Sequence, residues 1–199
     1  MSDQYTAPTP SQSFPLTGKK HDIVTKYLAD MLGLEGHIYQ AIDKQVKETQ
    51  DEPDVNPILR NIRDTLERHT NELRSRLEAL GGKPTSPIKE AGASFLGVAA
   101  GLIDKVRAEE VSKDFRDDYT ALSLSHVSYL MLISTCLACD DTQTADLATR
   151  HLKENARIIS DIGNLIPTLV VRDLSDLTDL NPRAIEEARR RYSSAWQRQ

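Results

Sequence analysis

The sequence is poor in the features that define several protein classes. Aromatic residues make up only 5% of its 199 residues, and it contains two cysteines, Cys136 and Cys139. Two cysteines one helical turn apart are too few for a disulfide framework, and the sequence does not supply the further ligands that a soft metal would need. We interpret both as small buried side chains, since free cysteine is among the most buried residue types.

Long hydrophobic runs and an excess of basic charge are missing as well. No apolar run reaches the roughly 18 residues of a membrane span, and the first twenty residues lack the apolar stretch of a signal peptide. The 25 basic and 30 acidic residues alternate along the chain and give a net charge of -5. We therefore expect a cytoplasmic protein that binds neither a membrane nor nucleic acid.

The pattern that is present is helical. Apolar residues recur with a period of 3.6 over five segments, at about 20–48, 56–80, 87–107, 113–139 and 142–164. The short turn "CDDT" makes the last two segments antiparallel neighbours, and a connection of about thirty residues joins them to the first pair. This layout predicts an all-α four-helix bundle with an extra crossover helix over 87–107.

Both ends of the chain depart from this pattern. Residues 1–18 are rich in Ser, Thr, Gln and Pro, which predicts a flexible or partner-bound arm. Residues 19–166 hold the bundle, and residues 167–199 are expected to form an extended strap and a C-terminal amphipathic helix that ends near Trp196. The arm and the tail offer surfaces for assembly, so we expect a homo-oligomer.

Each long helix interrupts its apolar stripe with polar residues at inward positions. Residues three apart share a helical face, and a bundle can bring four such faces together around two metal ions. Carboxylate and imidazole ligands suit iron, manganese or zinc, and we expect iron or manganese if the site holds a metal. The candidate metal ligands are Glu35, His69, Glu72, His126, His151 and Glu154.

Three stretches give the chain a family resemblance over about residues 20–166. They are "ERHTNELRSRLEALGGKP", "DDYTALSLSHVSYLMLISTCLACDD" and "ADLATRHLKENARIISDIGNLIP". With the helix layout, they resemble the ferritin-like superfamily, and most nearly the bacterial stress-associated ferritin-like proteins of the YciE/YciF type. The resemblance implies a bundle in which each half supplies a Glu from one helix and an ExxH pair from the next, which together bind two irons.

The chain departs from that ligand pattern at several positions. Glu35 matches the first Glu and Glu154 the last carboxylate, but Arg157 stands where the resemblance implies a His. Ser125 stands where the family has a Glu. The remaining pairs run in the reverse order, HxxE, at His69 and at His151. A standard ferroxidase centre is therefore not expected.

Two hypotheses of different class follow. In the first, the polar residues form a buried hydrogen-bonded network with Arg157 pairing a carboxylate, and the protein is a pseudo-ferritin that self-assembles or acts as a scaffold. In the second, the inverted pairs form a rebuilt site for iron or manganese in a stress-response protein. Neither hypothesis assigns a catalytic residue, and the sequence contains no Gly-rich phosphate loop.

Overall fold

The computed structural model of the chain describes residues 16–83 and 111–196. Within these ranges it contains five α-helices and no β-strand, which confirms the all-α prediction. The N-terminal arm up to residue 15 and the crossover helix predicted over 87–107 lie outside the described residues. The helices are α1 Gly18–Glu48, α2 Asn56–Ala79, α3 Val111–Ala138, α4 Thr142–Asp173 and α5 Ala184–Ala195.

Four of these helices form the bundle, as two antiparallel pairs. Helix α1 packs along α2 and also along α3, α3 packs along α4, and α2 approaches α4 less closely. The inward stripes predicted for α1 and α2 are confirmed, because their leucine and isoleucine side chains are buried. The core includes Leu28, Ile38, Ile42, Leu59, Leu66, Leu73, Leu77, Leu122, Leu132 and Ile162.

A glycine and a capping aspartate mark where one helix of each pair ends or the next begins. Helix α2 ends before Gly81, whose φ of 77° is a left-handed conformation that glycine adopts without a steric penalty. The Asp141 side chain accepts a hydrogen bond from Thr144 N and so caps the start of α4. Arg76 donates to the same carboxylate at 2.8 Å, which ties the end of α2 to the turn between α3 and α4.

The prediction that the chain becomes extended at Pro167 is wrong. Helix α4 continues through Pro167 to Asp173, although a proline inside a helix removes a hydrogen bond and costs roughly 3 kcal/mol. Tertiary contacts hold the extra turns in place. Leu169 is buried, Arg172 Nη1 donates to Glu52 at 2.8 Å, and Asp173 accepts from Ser112 N.

Helix α3 is apolar on both of its sides. The helical period of its apolar residues predicts that Leu130 and Leu137 face inward, but they are 54% and 56% exposed. The prediction failed because residues 119–139 contain no Asp, Glu, Lys or Arg, so no polar face indicates which side is inside. Among the described helices, α3 alone is long and apolar enough to cross a membrane. The core helix of a soluble bundle can meet the same two criteria. In α3, 33% of the 18-residue apolar stretch that meets them is buried in the bundle.

Helix α5 rests on α4 through a glycine. The Tyr192 hydroxyl occupies the space in which a Cβ on Gly163 would lie. We expect Gly163→Ala to displace α5, because the added methyl overlaps the tyrosine ring, and to leave the bundle folded. Limited proteolysis between residues 174 and 183 should become faster. Gly33→Ala on α1 is the matched control, since its Cβ meets no atom within 4 Å; equal proteolysis of the two variants would contradict the prediction.

Candidate functional site

Four helices bring polar side chains together in the middle of the bundle. We call this group the central cluster. Glu35, Ser125, Tyr129 and His151 are fully buried, His69 is 1% exposed, and Glu72 and Glu154 are partly exposed at the rim. A buried charge is stabilised only when it is paired and hydrogen-bonded, so the contacts of each member determine what the cluster can do.

The first half of the cluster is a chain of hydrogen bonds through His69. Its Nδ1 lies 3.2 Å from Glu35 Oε2, and its Nε2 lies 2.7 Å from Glu154 Oε2. Ser125 Oγ donates to the other oxygen of Glu35. Since both ring nitrogens face a carboxylate acceptor, this geometry suits a protonated imidazolium.

The second half repeats this arrangement through His151. Its Nε2 lies 3.1 Å from Glu72 Oε2, and its Nδ1 lies 3.0 Å from the Tyr129 hydroxyl. Because the carboxylate only accepts, we assign the ring proton to Nε2, and Nδ1 then accepts from Tyr129. A neutral imidazole therefore satisfies all of the hydrogen bonds in this half.

The two histidines lie on different helices, and each forms a hydrogen bond with the glutamate on the other histidine's helix. His69 and Glu72 are on α2, whereas His151 and Glu154 are on α4. Each histidine pairs with the glutamate of the other helix, not with the one three residues along its own chain. The two rings stack between the helices, with centroids 3.9 Å apart and planes 13° from parallel.

The electrostatics of the cluster shift the pKa values of the two histidines in opposite directions. Burial alone lowers the pKa of His69, but hydrogen bonds and charge from Glu35 and Glu154 outweigh burial and raise that pKa above 6.5. Burial, together with the positive charge of His69, lowers the pKa of His151 to about 4. Since stacked imidazoles this close repel when both are charged, the cluster favours a charged His69 ring beside a neutral His151 ring.

Two arginines complete the cluster at its rim. Arg68 donates to Glu154 at 2.8 Å, and its other terminal nitrogen lies 3.7 Å from Glu72. Arg150 donates to Glu72 at 3.2 Å. Burial raises the pKa of both rim carboxyls, but hydrogen bonds from the histidines and arginines lower each pKa overall. Three carboxylates thus face three cations, namely the two guanidiniums and the imidazolium.

The structure brings together five of the six candidate ligands. His126 is half-buried, and its Nδ1 is buried without a hydrogen-bond partner among the described residues. Ser125, one residue earlier, occupies the place in the cluster. Arg157 is exposed, and the guanidinium on Glu154 comes from Arg68. The hypothesis that Arg157 neutralises the site is therefore corrected.

Sequence reasoning missed four members of the network, namely Arg68, Asn155, Tyr129 and Arg150. Arg68 and Glu72 are four residues apart on α2, so helical spacing alone could have paired them. Asn155 donates to Ser125 Oγ at 2.9 Å, and it follows His151 by four residues on the buried side of α4. Tyr129 and Arg150 gave no signal, because their roles depend on which helix they face.

The helix arrangement defines a ferritin-like four-helix bundle. Residues 19–175 match the family model described as "Domain of unknown function (DUF892)". The chain therefore belongs to the DUF892 family. No curated protein sequence matches it.

Two solved structures support the fold. One is a protein of Xanthomonas campestris pv. campestris, with a TM-score of 0.66 and 15% identity over 80% of this chain and 98% of that one. The other is the bacterioferritin of Desulfovibrio desulfuricans, with a TM-score of 0.58 and 22% identity over 79% of this chain and 91% of that one. At these identities the similarity shows the fold alone.

The bacterioferritin structure has a diiron site, so we tested whether the central cluster fits one. It does not. Both ring nitrogens of His69 and of His151 are engaged in hydrogen bonds. Ser125 stands where the resemblance implies a carboxylate. Across residues 16–83 and 111–196, no three His, Cys, Asp or Glu side chains converge as a metal ion would require. The donors are paired with one another and do not point at a common centre.

Proposed function

We propose that this protein is a metal-independent ferritin-like protein that acts by association of identical copies. The observation that carries the proposal is the charge balance of the central cluster. Glu35, Glu72 and Glu154 are offset by His69, Arg68 and Arg150, so the cluster does not require the charge of a metal ion. The cluster then has a structural role, and function lies on the outer surface of the bundle.

We extend the proposal to the setting of the protein. The resemblance to the YciE/YciF-type proteins supports a stress-associated role, and the mixed surface charge supports a cytoplasmic location. No residue is assigned a catalytic role. The role of a scaffold requires only a stable bundle and a surface on which copies meet.

A second candidate function is the binding of iron or manganese. One observation favours it, because Glu35 and Tyr129 orient the two histidines through Nδ1, as partners outside a metal centre commonly do. Both Nε2 atoms lie beside rim carboxylates. An open groove of about 780 Å³ between α2 and α4, lined partly by Glu72, gives solvent access to this rim.

Metal content distinguishes the two candidates. Protein purified with excess iron(II) or manganese(II) should retain well under one ion per chain, and its melting temperature should not depend on the metal. Glu154→Ala should change neither the metal content nor the response to metal. Glu67→Ala, an exposed glutamate on α2, is the matched control. Stoichiometric metal that is retained by the wild type and the control but lost in Glu154→Ala would overturn the proposal.

A further inference from the structure

Helix α3 presents an apolar stripe to the outside of the bundle. We call Val127, Leu130, Met131, Ser134 and Leu137 the outer stripe. Its four apolar members are 54%, 54%, 43% and 56% exposed in chain order. Their spacing of three and four residues places them on one face over three turns. Contiguous exposed apolar surface of this kind marks interaction sites in soluble proteins.

The outer stripe also lacks charge. Residues 119–139 contain no Asp, Glu, Lys or Arg, although charged residues make up 28% of the chain. The solvent-facing side of a bundle helix ordinarily carries charged residues. A partner with a charged surface would gain no ion pair here and would lose hydration, so the stripe fits an uncharged apolar partner.

We infer that the outer stripe is the contact through which two copies of the chain associate about a two-fold axis, with α3 antiparallel to the α3 of the partner. The inference rests on the proposed self-association and specifies its surface. In a two-fold contact, residue i meets residue j and j meets i. An antiparallel pair centred between positions 130 and 134 places Leu130 opposite Ser134 and Val127 opposite Leu137.

This alignment is complementary in size and brings no like charges together. A large side chain meets a small one at two symmetric places, which lets the helices approach closely. No charged residue of the stripe meets a like charge, because the stripe has none. The same patch therefore serves both copies.

A lipid bilayer suits the stripe less well. From Val127 to Leu137 the stripe rises by ten helical steps, which is about 15 Å. The hydrocarbon core of a bilayer is about twice as thick, at roughly 30 Å. The opposite side of α3 buries Phe115, Leu122 and Tyr129 against the bundle, so insertion into a membrane would require breaking the core.

Light scattering of the full-length chain tests the contact. The wild type should have the mass of two chains or of an even-numbered assembly, and Leu130→Glu should halve it, because the new carboxylate is buried at the contact. Leu177→Glu is the matched control, since Leu177 is 58% exposed but lies after α4. Mixing Leu130→Glu chains with Ser134→Lys chains should restore dimers, since the mixed pair places Glu opposite Lys. Circular dichroism checks that each variant is folded.

The outcomes separate this inference from the proposed function. If the wild type assembles and folded Leu130→Glu keeps the same mass, the α3 contact is overturned but self-association stands. If the wild type is a monomer, both are overturned. A monomer that co-sediments with phosphatidylcholine vesicles would likewise overturn the contact in favour of a lipid surface.

Discussion

Asp118→Asn should stabilise the protein at pH 7 by about 4 kcal/mol. Burial raises the pKa of Asp118 to about 8, against 3.8 for an ordinary Asp; the hydrogen bond from Gln45 opposes this shift, and the charges of Asp114 and Asp117 add to it. At 1.36 kcal/mol per pKa unit, holding a proton at pH 7 that the unfolded chain has released costs about 4 kcal/mol. Asparagine is neutral in both states and does not incur this cost.

The geometry at Asp118 supports the presence of this proton. Gln45 Nε2 donates to Asp118 Oδ1 at 2.9 Å, whereas Gln45 Oε1 and Asp118 Oδ2 have no partner among the described residues. A proton on the carboxyl supplies the donor that these two oxygens lack. An asparagine amide at position 118 supplies a donor in the same place, so the variant keeps the pair.

The stability gained by Asp118→Asn should increase as the pH rises. Since the folded pKa is raised, the stability associated with Asp118 is complete below pH 3.8 and is lost as the pH rises to about 8. Urea unfolding at pH 5, 6, 7 and 8 should show a growing advantage of Asp118→Asn over the wild type. Asp146→Asn changes the same charge at an exposed site and is the control. An advantage that is constant with pH would contradict the prediction.

Glu35→Ala should destabilise the protein by roughly 3–5 kcal/mol, the range found when one partner of a buried ion pair is removed. The substitution leaves Ser125 without its acceptor and removes the carboxylate that stabilises the His69 imidazolium. The pKa of His69 should therefore fall. Chemical denaturation measures the loss in stability, and the imidazole NMR signals report the change in pKa.

Two comparisons make the Glu35 result specific. Glu35→Gln should lose less, because the amide oxygen still accepts from Ser125 and the volume is kept. Glu67→Ala on the surface of α2 should change stability by no more than about 0.5 kcal/mol. The loss in Glu35→Ala should be the same with and without a chelator; a loss that appears only in metal-loaded protein would indicate that Glu35 is a ligand.

The fold was largely predictable because helical periodicity is a local property. The stripes of α1 and α2 each contrast an apolar face with a charged one, so their spacing alone predicts that Leu28, Leu66 and Leu73 are buried, as they are in the structure. Helix α3 lacks that contrast, and its orientation was partly misassigned. Pro167 misled for a different reason, since the contacts of Arg172 and Leu169 that keep α4 helical come from tertiary packing.

The site was predictable in composition but not in connectivity. The HxxE pairs at His69 and His151 were identified from spacing, and the structure places them together at the centre. Their hydrogen bonds cross between helices, and the sequence of one helix does not specify which residues of another it will face. Arg157 was proposed because it stands where the resemblance implies a His, whereas Arg68 reaches Glu154 across the bundle.

The crossed hydrogen bonds of the central cluster fix how the two helical hairpins align along their length. Each of α2 and α4 supplies one histidine and one acceptor, so the two crossing bonds form together only at one longitudinal position. A slip of one turn, about 5.4 Å, breaks both at once. Leucine and isoleucine stripes tolerate such a slip far better, because one apolar turn resembles the next. The cluster thereby selects a single register for the bundle.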